Sequence, residues 1–146
     1  MNGRYFLDTN VFVYTFDASA PAKRKRAQTL VADALVDSAA LISYQVVQEF
    51  INVATRKFEV PLTYAESRAY LTDVLNPLCE VYPTYELYLH ALDVAAETKF
   101  GFYDALIVAA ALEARCETLY SEDLQDGFRI QGLTVRNPFA GPARNR

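Results

Sequence analysis

The chain has 146 residues, 52% of them hydrophobic and 22% charged, which suits one globular domain spanning residues 1–146 with a sizeable core. No apolar run reaches the roughly 20 residues that cross a bilayer, and residues 1–8 lack the apolar core of a secretory signal, so no membrane association is expected and the chain is placed in the cytoplasm. The net charge of −4 argues at first sight against nucleic acid, but divalent cations held by an acidic site would invert that field locally.

Taken in order, residues 4–7 read as a buried strand that runs into Asp8, followed by a second apolar run at 11–13. Pro21 precedes a helix over 22–36, with Leu30, Ala34 and Leu35 on its apolar stripe. Residues 39–42 predict a second strand, and Ser43 an N-cap for a helix over 44–58. Pro61 stops that helix; Thr63 caps another that runs to 75, before Pro77. Residues 80–82 predict a short strand, and Thr84 caps a helix over 85–98 that Gly101 ends. A helix over 104–114 is apolar almost all round and therefore buried on several sides. Residues 118–120 form a strand leading into Ser121-Glu122-Asp123. Residues 133–135 form the last strand, before Asn137-Pro138-Phe139 and a short basic tail from about residue 140. Short apolar strands alternating with helices predict an α/β fold, a mostly parallel sheet with helices on both faces. Sites in such folds lie beyond the carboxyl ends of the strands, where Asp8 and Asp123 fall.

Four carboxylates stand out by their surroundings. Asp8 is wedged between two apolar runs and needs compensation, as a helix N-cap, in an ion pair or at a metal. Asp104 heads an apolar stripe of Ile107, Val108 and Ala111; pairing with the helix dipole alone would also explain it. Glu49 lies at the margin of the stripe formed by Val46, Val47, Phe50 and Val53, where a solvated Glu is equally at home. Asp123 sits in a polar segment closed by Gly127 that also reads as a surface turn. Converging carboxylates repel unless something positive lies between them, and oxygen-only donors select hard cations, Mg²⁺ or Mn²⁺. Such an ion activates water and stabilises charge on a phosphodiester, so phosphodiester hydrolysis is the chemistry that fits these residue types.

These residues also carry a family likeness. Leu7-Asp8-Thr9-Asn10, Gln48-Glu49-Phe50, Tyr103-Asp104-Ala105 and Ser121-Glu122-Asp123 resemble, in order and spacing, the motifs of PIN-domain nucleases, and among them the VapC-type toxins of type II toxin–antitoxin pairs. The resemblance runs from Tyr5 to Phe139. It implies a three-layer α/β/α sandwich and an endoribonuclease in which Asp8, Glu49, Asp104 and Asp123 bind Mg²⁺ or Mn²⁺. Thr9, Asn10 and Ser121 would orient a carboxylate or water, and Asp126 would be a further outer ligand. It further implies an RNA substrate cut to a 5′-phosphate and a 3′-hydroxyl, a cognate antitoxin partner and a homodimer.

Lys23-Arg24-Lys25-Arg26 is the one dense basic run, either a hold for RNA phosphates or a solvated helix start. Arg136, Arg144 and Arg146 leave the tail open to the same two readings. Cys79 and Cys116 read as two buried thiols, and with the lone His90 they offer too few ligands for structural zinc. A single His, placed among leucines, also excludes a histidine-pair ribonuclease. A phosphatase with Asp8 as nucleophile would want an acid two residues on, where Asn10 stands. A catalytically silent RNA-binding domain of the same fold is the remaining alternative, and an intact set of acids argues against it.

Overall fold

In the computed structural model, residues 3–140 are described. Arg144 and Arg146 of the basic tail lie outside them. Strands β1 (Tyr5–Leu7), β2 (Ala40–Ser43), β3 (Cys79–Val81), β4 (Thr118–Tyr120), β5 (Arg129–Ile130) and β6 (Leu133–Arg136) form one sheet in the order β3-β2-β1-β4-β6-β5. Every pairing is parallel except β5 with β6. The strands are short because the sheet is covered on both faces and needs only apolar residues: β2 is buried throughout, and Phe6, Leu7 and Leu119 have no exposed surface. The antiparallel β5 is absent from the sequence reading. Two residues carry no periodicity, and only pairing with β6 makes them a strand.

The helices fall into two groups by contact. Helices α1 (Thr9–Tyr14), α2 (Pro21–Val36) and α3 (Tyr44–Arg56) pack together, and α4 (Tyr64–Tyr70) leans on α3. A π-helical turn over Leu71–Leu75 carries α4 into one last turn, α5 (Asn76–Leu78). Helices α6 (Tyr85–Thr98) and α7 (Phe102–Glu113) pair with each other. The parallel connections run from β1 to β2 to β3 and then back to β4 on the far side of β1; because such crossovers are right-handed, this reversal puts the two groups on opposite faces, the α/β/α sandwich expected.

Local chemistry explains most boundaries. Thr63 and Glu66 form a reciprocal capping box, and the Thr84 hydroxyl accepts from Leu87 N. Helix α7 is buried from Ala105 to Ala111, as its all-round apolar character requires. The apolar run at 11–13 belongs to a helix, α1, with Asp8 as its N-cap. Three expectations need correction. Pro77 does not end the helix at 75, because the wide turn, in which Asn76 N bonds to Leu71 O, carries the chain past it. Lys99 in left-handed conformation (φ 68°) ends α6, while Gly101 caps α7. On α2 the buried stripe is Ala27, Leu30, Val31 and Ala34; Leu35 is 40% exposed. Cys116 is buried, but Cys79 is only partly so. His90 faces Glu113 across the α6–α7 contact, with Nδ1 and Oε2 3.6 Å apart.

Among the described residues no helix is long and apolar enough to cross a membrane.

Candidate active site

Strand order reverses at β1: the chain builds outward through β2 and β3, then returns to place β4 on the other side. A crevice must open at the carboxyl ends of β1 and β4, because the chain leaves β1 toward β2 and leaves β4 toward β6, in opposite directions along the sheet. Asp8 follows β1 and Ser121 follows β4, and Asp8 N donates to Tyr120 O (2.9 Å), which locks the two strand ends together.

Asp8 is the centre. It is 6% exposed; its Oδ1 accepts from Thr9 N (2.7 Å) and its Oδ2 from Ser121 Oγ (2.8 Å). Burial pushes its pKa up to about 6, opposed by those two hydrogen bonds and reinforced by the charges of Asp123 and Glu49. Of the readings the sequence left open, the N-cap is met: Asp8 caps α1, and it is also a crowded, desolvated carboxylate. Ser121, with no exposed surface, serves two acids, since its oxygen also accepts from Asp123 N (3.1 Å).

Asp123 is fixed by Asn10, whose Nδ2 donates to its Oδ1 (2.9 Å). Partial desolvation and then the Asp104 charge raise its pKa, with Glu122 and Glu49 adding to the effect and Asn10 opposing it. Glu49 projects from α3: its Oε1 accepts from Thr9 Oγ1 (2.6 Å) and its Oε2 from Gln45 Nε2 (3.0 Å). Asp104 sits in the first turn of α7, exposed at the mouth. The four acids therefore come from the end of β1, the loop after β4, the second turn of α3 and the first turn of α7. Thr9, Asn10 and Ser121 each hold a carboxylate by a direct hydrogen bond.

Asp126 makes a backbone bond across the loop. Its Oδ1 accepts from Asn137 N (2.8 Å), while Gly127 at φ 88° turns the chain so that its own N bonds to Val135 O. It staples the segment after β4 to the end of β6. The basic run also divides. Lys23 pairs with Glu122 and lies over the Tyr14 ring (4.8 Å to the centroid), and Arg26 Nε donates to Pro138 O (3.2 Å). Arg24 and Lys25 are exposed.

Sequence reasoning missed Gln45. Its Nε2 bridges Glu49 Oε2 and Tyr103 O (3.1 Å), tying α3 to the start of α7 beside Asp104. The available signal was a polar residue one helical turn before Glu49. The Tyr14–Glu122–Lys23 cluster was missed as well. Tyr14 donates to Glu122 Oε1 (2.7 Å), and although partial burial opposes it, bonding to Lys23 and Tyr14 holds the Glu122 carboxyl below its ordinary range.

The donor set is oxygen only, which suits a hard divalent cation. Repulsion that raises Asp8 and Asp123 is the repulsion a cation would relieve. The fit is one of donor chemistry rather than of a closed cage: among the described residues no three His, Cys, Asp or Glu side chains already converge on one point.

A family model described as PIN domain matches residues 5–129. No curated protein matches the sequence. Among solved structures, the chain is similar to a toxin–antitoxin complex from Klebsiella pneumoniae (TM-score 0.69, 20% identity, covering 92% of this chain and 98% of that one). It is similar also to a DNA-bound VapBC from Salmonella typhimurium (TM-score 0.60, 22% identity, 92% and 97% covered). A third likeness is to a sarcin–ricin-loop-cleaving toxin of Mycobacterium tuberculosis (TM-score 0.59, 18% identity, 80% and 88% covered). At these identities the likeness establishes the fold.

Proposed function

Because the chain belongs to the PIN-domain family, we propose that it is a metal-dependent endoribonuclease and the toxin of a toxin–antitoxin pair. The observation that carries the reading is Asp8, a carboxylate buried at the switch point of the sheet and crowded by the charges of Asp123 and Glu49. Asp8, Glu49, Asp104 and Asp123 are the acids assigned to Mg²⁺ or Mn²⁺, with Thr9, Asn10 and Ser121 as their supports. A divalent cation held there would supply an acidified water and Lewis-acid stabilisation of negative charge on the phosphodiester.

What the chain's own residues do follows from their bonds. Ser121 and Thr9 N present two donors to Asp8, favouring its ionised form against burial. Thr9 and Gln45 fix both oxygens of Glu49, and Asn10 leaves Asp123 Oδ2 unengaged by any described residue. Asp104 stands exposed where an RNA backbone would enter. A cognate antitoxin, supported by similarity to toxin–antitoxin complexes, belongs to the proposal, as do a homodimer and a cytoplasmic location.

Purified chain incubated with labelled RNA, with and without Mn²⁺ or Mg²⁺, tests it beside Asp8→Asn and Asp104→Asn. Metal-dependent cleavage leaving a 5′-phosphate, lost in both variants, is expected. RNA left intact by the wild type would point instead to a catalytically silent RNA-binding domain, and cleavage surviving in either variant would show that the assigned acids are wrong.

A further inference from the structure

Next to the carboxylates lies a cleft of about 530 Å³, within the roughly 300–1,000 Å³ of small-ligand pockets. It is assembled from two ends of the chain. The first turns of α2 contribute Lys23 and Arg26; the carboxyl ends of β4 and β6 contribute Tyr120 and Arg136; Phe139 and Asn137 follow. In a chain of net charge −4, this cleft gathers three cations, with no carboxylate among its described lining residues.

The cations are not equivalent. Lys23 is matched by Glu122. Arg26 spends only Nε, on Pro138 O, and that bond fixes its guanidinium while its remaining donors have no partner among the described residues. Arg136 is exposed, and its side chain makes no hydrogen bond or ion pair among the described residues. Its backbone is held rigid beside Tyr120 by the β4–β6 ladder, and its carbonyl accepts from Ser121 N (3.0 Å). One bond therefore connects the residue that holds Asp8 to the residue that offers a free guanidinium. Two arginines with unused forks suit phosphate, which guanidinium groups engage through paired donors. Phe139 and Tyr120 add aromatic surface, and a base has a π-face for either.

We infer that this cleft is a nucleotide subsite, in which Arg26 and Arg136 hold a backbone phosphate flanking the scissile one and the aromatic wall receives the attached base. The inference rests on the ribonuclease reading and assigns where the strand runs from the catalytic acids, toward β6 and the start of α2. It also gives two cations of the expected basic region, Arg26 and Arg136, a shared task that no linear run could reveal. Arg24 and Lys25 are outside the cleft lining and are not part of it.

The test is fluorescence anisotropy of a short 5′-fluorescein single-stranded RNA, with chelator present so that nothing is cleaved, across a salt series. Each phosphate contact on a single strand contributes about 0.7 to the slope of log K against log salt. Arg26→Gln and Arg136→Gln should each flatten the slope by about that amount and weaken binding. Arg115→Gln removes the same charge ahead of the amino end of β4, outside the cleft lining, and should leave the slope unchanged. Equal losses in all three variants would reduce the effect to net charge and overturn the subsite. Unchanged binding in Arg26→Gln and Arg136→Gln, or no saturable binding by the wild type, would overturn it too. Cleavage by the wild type with Mn²⁺, run in parallel, reports separately on the ribonuclease reading.

Discussion

Replacing Asp8 by Asn should stabilise the metal-free protein at neutral pH. The folded protein holds the Asp8 proton up to about pH 6, whereas a carboxyl at its ordinary value of 3.8 loses it far earlier. Folding therefore binds a proton between those values, and stability falls as pH rises through that window and stays low above it. About two pKa units correspond to roughly 3 kcal/mol. Against this, the amide keeps an oxygen for Thr9 N but disturbs the bond with Ser121, a loss of about 1 kcal/mol. The net gain is about 2 kcal/mol at pH 7 and turns into a loss of up to about 1 kcal/mol near pH 4, where the charge penalty has gone and only the disturbed bond remains. In thermal terms each kcal/mol is worth roughly 2–4 °C for a chain of this size, so Tm at pH 7 should rise by roughly 4–8 °C. The assay is thermal and chemical denaturation of both proteins in chelator from pH 4 to pH 8, where other titrating groups largely cancel in the difference. A difference that does not change with pH, or a variant less stable than wild type at pH 7, would refute the account of Asp8 as a desolvated and crowded carboxylate.

Ser121→Ala removes a hydrogen bond that lowers the Asp8 pKa, so the Asp8 titration midpoint should move above 6, read by NMR of the carboxyl carbon against pH. Thr9→Val leaves Glu49 without its 2.6 Å donor and should cost about 1 kcal/mol in chemical denaturation, with Thr9→Ser restoring it. Phe50→Ala empties the centre of an aromatic cluster with Phe12, Phe58 and Tyr70, from a position with no exposed surface. Its midpoint should fall by an amount equivalent to about 3–5 kcal/mol, while a loss under 1 kcal/mol would mean the cluster is loosely packed.

Much of this architecture is legible in the chain because periodicity and capping are local. The helix over Tyr85–Thr98 follows from Thr84 and its apolar spacing, and β4 from three residues with β-strand character before a polar turn. Where the reading failed, something distant decided. Residues 11–13 are only an apolar run until Asp8 caps them as a helix, and Lys99, rather than the nearby Gly101, ends α6 in a left-handed conformation. At the site, Asp8, Glu49 and Asp104 are conspicuous because each adjoins apolar sequence, whereas Gln45 is an ordinary polar helix residue until α7 brings Tyr103 O against it.

By itself, then, the sequence determined the residue types: oxygen donors without Cys or His partners, hence hard-cation chemistry, placed at strand ends where an α/β sheet exposes its crevice. Tertiary structure alone decided what those residues do to one another. Desolvation and mutual repulsion depend on distances between groups more than a hundred positions apart, as Asp8 and Ser121 are. No local pattern encodes that Asp126 staples a loop, that Lys23 is neutralised by Glu122, or that Arg26 and Arg136 face one cleft. Electrostatic energy follows separation in space and access to water, and both are set only when the sheet order brings β4 back beside β1.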